Sequence, residues 1–170
     1  MQSPPGGTSR ALMQVKPASA RGPYTAAQLQ PAPPTPMQTF DDFLVAAASQ
    51  SEPQRLLLVF ARAECPPDAT PAERAAFERG EGGALAPAVC VDKLPGEIAS
   101  FASLMAESKA AIDDWRILFV AAMEGRGGHA PNTDEAVQPM RMMVEQIKGG
   151  RIARFLAVDR AGRLVNLSRG

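Results

Sequence analysis

The sequence predicts a single α/β domain over residues 39 to 168: a mixed, mostly parallel five-stranded sheet with helices on both faces and a C-terminal β-hairpin. Three observations predict it. Apolar runs of strand length alternate with helix-patterned segments through most of the chain. Those runs are continuous, as expected for strands covered on both faces. The last two are separated only by a turn, which marks a hairpin. Strands alternating with helices imply a mainly parallel sheet joined by helical crossovers.

The first element is a helix over TFDDFLVAAASQ. Thr39 is suited to N-cap it, with Asp42 at the third helical position completing the box. Phe40, Phe43, Leu44, Ala47 and Ala48 recur at helical spacing and form its apolar face. Leu56 to Ala61 is the first strand. Thr70-Pro71-Ala72-Glu73 then opens a second helix with a capping box and a proline at the first helical position. Gly80 stops it. Ala84 to Val91 is the second strand, and Pro87 inside it predicts a late start or a bulge.

Pro95 to Ile112 reads as a helix with Ile98, Phe101, Met105 and Ile112 on one side. Trp115 to Ala122 is the third apolar strand. Gly125 to Gly128 forms a glycine-rich loop before a helix that starts at Asn132 or Thr133 and ends at Gly149-Gly150. Val137, Met140, Met143, Val144 and Ile147 form its apolar face, leaving Met142 to point elsewhere. Pro139 either kinks that helix or marks its real first turn. Ile152 to Val158, a turn at Asp159 to Gly162, and Arg163 to Leu167 make the hairpin.

Residues 1 to 38 differ from the rest. They hold eight of the sixteen prolines, three basic residues (Arg10, Lys16, Arg21) and no acidic one. Such a stretch buries too little apolar surface to offset its ordering entropy, so it reads as a disordered tail, PPII-like near Pro31 to Pro36. Acid-free composition with Arg and Ser also fits an organelle transit peptide, although the prolines break any amphipathic helix. A third reading places the translation start at Met37, two residues before the first strong structural signal.

Formal net charge is zero over 170 residues, so nothing global favours nucleic acid or an anionic membrane. No apolar run approaches a membrane span. The single His and the two cysteines, Cys65 and Cys90, match no zinc spacing, so no metal and no cofactor are assigned. Free thiols fit a reducing compartment, hence a cytoplasmic location.

In an open parallel sheet, ligands bind beyond the carboxyl ends of the strands. Glu64 and Cys65 follow the first strand, Asp92 and Lys93 the second, and Glu124, Arg126 and His129 the third. Parallel strands would gather them on one edge. The candidate binding edge is therefore Asp92, Lys93, Arg126, His129 and Glu64. Each also has a plainer reading. Asp92 and Lys93 serve equally as a surface ion pair. The glycine loop lacks the Lys-Ser/Thr ending of a P-loop and the dinucleotide spacing. His129 is the only side chain with an unperturbed pKa near neutrality, yet a lone loop His is more often solvated than catalytic. Cys90 sits in an apolar strand and reads as a small buried hydrophobe. A Cys65–Cys90 disulfide requires the two strands to be neighbours.

The stretches LLLVFARAE, ATPAERAAFERGEGGAL, CVDK, the ES within LMAES, and FLAVDRAGRLV resemble a family of short proteobacterial proteins. Its members often carry the name ribonucleotide reductase subunit alpha. The resemblance runs from about Thr39 to Leu167 and implies, by name only, an accessory factor linked to ribonucleotide reduction. It carries no catalytic residue onto this chain.

The expectation is a non-catalytic binding or interaction module, because no nucleotide, metal, covalent or acid/base motif stands out. Its partner would be a protein. The alternative is a small enzyme or ligand-binding protein for an anionic metabolite. Arg126, Lys93 and the glycine-loop amides would then hold the anion, and Asp92 or His129 would move a proton. The oligomeric state is left open.

Overall fold

A computed structural model describes residues 36–167. The tail expected over residues 1 to 38 lies outside the described residues except for its last three. Of these, Met37 packs against the core, and the Gln38 carbonyl accepts the Leu164 amide at 2.9 Å. The fold therefore starts slightly before the composition shift.

The elements follow the expected order. They are α1 (Phe40–Ala48), β1 (Gln54–Glu64), α2 (Pro71–Glu78), β2 (Ala84–Lys93), a 3-10 turn (Pro95–Glu97), α3 (Phe101–Ser108), β3 (Ile117–Glu124), α4 (Thr133–Lys148), β4 (Leu156–Val158) and β5 (Leu164–Val165). Most local signals act as read, but the box expected at Thr70 and Glu73 forms only its Thr70 half. Thr39 and Asp42 form the reciprocal box on α1, and Thr70 caps α2 through the Glu73 amide at 3.1 Å. Asn132 caps α4, which runs through Pro139, so that proline lies inside the helix and not at its first turn. The expected helix from Pro95 to Ile112 divides. Ile98 is extended, and Ser100 caps a new helix of eight residues.

The sheet is not the mostly parallel one expected. Its order is β2-β1-β3-β4-β5, and every pairing is antiparallel. The helices explain why. The eight residues of α2 include no buried one, so α2 does not pack as a crossover on a sheet face. It is an excursion within a β1–β2 hairpin. Next, α3 carries the chain from β2 to the far side of β1. Strands β2 and β3 therefore run parallel to each other, but β1 lies between them and opposes both. Finally, α4 returns the chain to an adjacent antiparallel strand, β4. A helix inside a hairpin and a helix in a crossover give the same pattern of elements.

Helices do cover both faces. Successive strand residues point to opposite faces. Phe60 meets Trp115, Trp115 meets Phe101, and Phe101 meets Phe40, with ring centroids 5.4, 6.5 and 5.7 Å apart. This chain of rings packs α1 and α3 on one face. Phe40 and Phe60 are almost wholly buried, and each such side chain contributes about 1.5–3 kcal/mol through burial. Arg160 closes the cluster, its guanidinium 4.8 Å from the Trp115 ring centre. On the other face lies α4, buried through Ala136, Met143 and Ile147. Val137, expected on that apolar face, is 47% exposed, and Met142 is 52% exposed. Ala136 takes the inward position in the first turns, while Met143 and Ile147 are buried as expected.

β2 is an edge strand with no fully buried residue. The register slips between Phe60 and Ala61, leaving Ala88 without a counterpart beside Pro87. This is the bulge that the proline signals. Beyond Ala61, β1 has no β3 partner, so residues 62–64 pair with β2 alone. That ribbon and α2 form an arm extending past the three-stranded part of the sheet.

Candidate functional site

The antiparallel sheet separates the residues expected on one edge. Lys93 pairs with Leu56 and Glu124 with Gln54, so Asp92, Lys93 and the loop holding Arg126 and His129 lie near one end of β1. Glu64 lies at the opposite end, paired with Ala84. The inference that all strand ends share one edge fails because β1 opposes both of its neighbours.

Asp92 and Lys93 are separated as well. They are successive residues of one strand and face opposite sides of the sheet. The Asp92 carboxylate accepts from Arg55 Nη1 at 2.6 Å and from Thr133 Oγ1 at 3.0 Å. Arg55 Nε also donates to the Pro131 carbonyl at 2.5 Å. The two charged side chains are 11% and 20% exposed, so this pair ties β1, β2 and the start of α4 together in a largely dry setting. On the other face, Lys93 Nζ donates to Glu107 Oε2 at 3.0 Å, linking β2 to α3. Both groups are thus engaged by the fold itself.

The glycine-rich loop is a tight hairpin turn. Arg126 and His129 exchange both backbone hydrogen bonds at 3.0 Å, and Gly127 and Gly128 have φ of 57° and 84°. Two positive φ values in succession call for glycine. A Cβ at Gly125 would come within 2.1 Å of the His129 carbonyl and 2.7 Å of the Pro53 carbonyl, so the backbone itself requires glycine there. The Gly128 amide donates to Glu52 Oε1 at 2.8 Å. An anion cradled by this amide would have to displace the protein's own carboxylate. The Arg126 and His129 side chains are exposed at the turn.

Both cysteines are free. Cys90 pairs with Val59, whereas Cys65 lies beyond Glu64 at the far end of β1, so the two thiols are far apart along the ladder. Cys90, expected to be buried, is exposed because β2 is an edge strand, yet partial burial of its thiol pushes the pKa up, which makes it a poorer nucleophile. Among the described residues, no group of three His, Cys, Asp or Glu side chains is placed to hold a metal. No described helix is long and apolar enough to cross a membrane.

The sequence reading missed Arg55, Glu52, Thr133 and Glu107, the partners that engage the candidate site. A charged residue opening an apolar strand, as Arg55 does, was the available signal. It also missed the arm, where an open hollow of about 230 Å³ is lined by residues including Pro66, Glu73, Ala76, Glu81 and Gly83. The hollow lies at the Glu64 end, away from Asp92. No protein-family model, curated protein or solved structure matches this chain.

Proposed function

We propose that this chain is a non-catalytic cytoplasmic binding module that takes an extended protein segment along β2. One observation carries the reading: β2 is ten residues long and has a strand partner on one side only among the described residues. Unpaired strand edges present a row of amides and carbonyls that recruit another strand. Pro87 and the Ala88 bulge blunt the first half of this edge, which leaves Val89 to Lys93 as the regular part. The engagement of Asp92 and Lys93 in internal pairs argues against proton transfer by Asp92 or anion capture by Lys93. A partner from the ribonucleotide-reduction machinery would agree with the family resemblance, and co-purification with reductase subunits tests it.

The reading is tested on the full chain in two ways. First, a labelled ten-residue peptide alternating Val and Lys is titrated by fluorescence anisotropy and should bind. Second, a thermal-shift screen covers nucleotides, sugar phosphates and carboxylates. A small anion at about 100 times its Kd adds about 2.7 kcal/mol, a readily visible shift. No such shift is expected. A shift that disappears in the Lys93→Glu/Arg126→Glu variant would overturn the module reading in favour of an anionic metabolite.

A further inference from the structure

The regular half of β2 lies beside a helix. Thr133, at the start of α4, donates to Asp92 at 3.0 Å, and α4 lies over β2 and, less extensively, over β1. Side chains alternate along a strand, so Cys90 faces the same side as Asp92, toward α4. No bulge intervenes, because Leu57 to Val59 pair with Asp92 to Cys90 in unbroken register. Cys90 is nevertheless exposed. The helix therefore stops short of covering the strand at that point.

Val137 sits one turn beyond Thr133 on the same side of α4, which places it toward β2. It is 47% exposed. Arg141 follows one turn later in the same row. It is exposed and has no ion-pair partner among the described residues. The charged side chains of β2 itself are engaged, Asp92 by Arg55 and Lys93 by Glu107. The α4 side of this edge is thus apolar at Cys90 and Val137, with one free cation at Arg141.

We infer that β2 and α4 form a groove that selects the added strand by its side chains. Its occupant is an extended protein segment with an apolar residue toward Cys90 and Val137 and a carboxylate two positions along for Arg141. This rests on the reading of β2 as the binding edge. The spacing fits. Val137 and Arg141 are four helical residues apart, about 6 Å along the axis, and two strand residues span about 6.6 Å. Successive α4-facing positions of an added strand therefore meet the two side chains in turn. The intervening residues point away from α4 and are not read by this row. Backbone pairing supplies affinity whatever the sequence, whereas alternate side chains seated in a groove supply specificity.

Three labelled ten-residue peptides are titrated into the full chain by fluorescence anisotropy. One alternates Val and Lys, one alternates Ser and Lys, and the third is the Val/Lys peptide with every second Val replaced by Glu. Val/Lys should bind about tenfold tighter than Ser/Lys, the equivalent of one buried valine. Val137→Ser should cut that ratio to about threefold, and Met142→Ser, on the opposite flank of α4, should leave it unchanged. Arg141→Ala should weaken the Glu-bearing peptide about threefold and leave Val/Lys unchanged. All three substituted positions are exposed, so the fold is retained, which an unchanged Tm checks. Equal binding of Val/Lys and Ser/Lys would overturn the groove and leave the edge reading intact. No binding of any peptide would overturn both. Equal effects of Val137→Ser and Met142→Ser would overturn the placement of the groove beside β2. Undiminished binding of the Glu-bearing peptide to Arg141→Ala would overturn the carboxylate position. A wild-type dimer in sedimentation that Val137→Ser dissolves would seat a second copy in the groove and overturn the segment.

Discussion

Replacing Asp92 by alanine separates its structural role from a role in ligand chemistry. The substitution leaves Arg55, 11% exposed, with the Pro131 carbonyl as its remaining partner. Removing one member of a fully buried ion pair costs about 3–5 kcal/mol, whereas an exposed pair is worth about 0–1 kcal/mol. With Asp92 20% exposed, water reaches the site and trims the upper figure, so a loss of about 2–3 kcal/mol is expected. At about 3 °C per kcal/mol for a fold of this size, Tm should fall by roughly 6–9 °C. Urea unfolding should show a lower midpoint at unchanged slope. The Arg55→Leu/Asp92→Leu variant should recover most of the loss, because well-packed apolar residues replace buried ion pairs at little cost. Lys93→Ala, whose partner Glu107 is 57% exposed, should lose less than about 1 kcal/mol. An Asp92→Ala loss no larger than that of Lys93→Ala would refute the assignment of Asp92 as a buried tie.

Two other predictions concern the loop and the first cap. Gly125→Ala forces a Cβ against the His129 and Pro53 carbonyls, neither of which can swing away like a side chain. It should destabilise the fold by more than about 2 kcal/mol in denaturant titration, and a neutral result would mean the loop is not tied to Pro53. The Gln38 amide, together with the Thr39 amide and hydroxyl, holds Asp42 below the usual carboxylate range, against a smaller upward push from burial. A lowered folded pKa means that the unfolded chain binds more protons at acid pH, so stability rises with pH there. The contribution is complete above the unfolded value, near pH 4, and is lost as pH falls through the folded value. Asp42→Asn should therefore flatten the acid limb of the stability curve below about pH 4, and an unchanged limb would show that the cap carries no charge-dependent stability.

The sequence shows clearly whatever is decided within a few residues. Thr39 with Asp42, Thr70 with Pro71, and Gly80 each act through neighbours on the same turn, and each sits where its local chemistry places it. Pro87 signals its bulge because a missing amide proton disrupts a ladder wherever the partner lies. Strand direction is different in kind. It depends on which strand lies beside β1, and nothing between residues 65 and 83 states that α2 stays exposed instead of covering the sheet. The low hydrophobicity of PAERAAFE, with Phe77 its only large apolar side chain, was the one available hint. The Arg55–Asp92 contact joins residues 37 apart in sequence, and Glu52–Gly128 joins residues 76 apart. Contacts of that range follow from the register, so they could not be read until the register was known.

Strand direction also decides where function can lie. A parallel sheet places every loop following a strand on one side and so assembles a ligand crevice by topology alone. Here β1 opposes both neighbours, and the same residues that would have converged are divided between two ends of the sheet and two of its faces. Neither end gathers the set. Among the described residues, the backbone groups along the outer side of β2 have no strand partner, and such an edge recruits another strand. The opposite edge shows how this fold treats such a feature, by laying Gln38 and Thr39 from the N-terminal side along β5. The internal ties of Asp92 to Arg55 and of Lys93 to Glu107 then take on a purpose. With the Thr133 contact of Asp92, they tie the regular half of β2 to β1 and to helices on both faces, which would leave the strand ordered in advance of any second strand. An edge ordered in advance loses less conformational entropy on pairing, so under the proposed reading the regular half of β2 is where an added strand would bind.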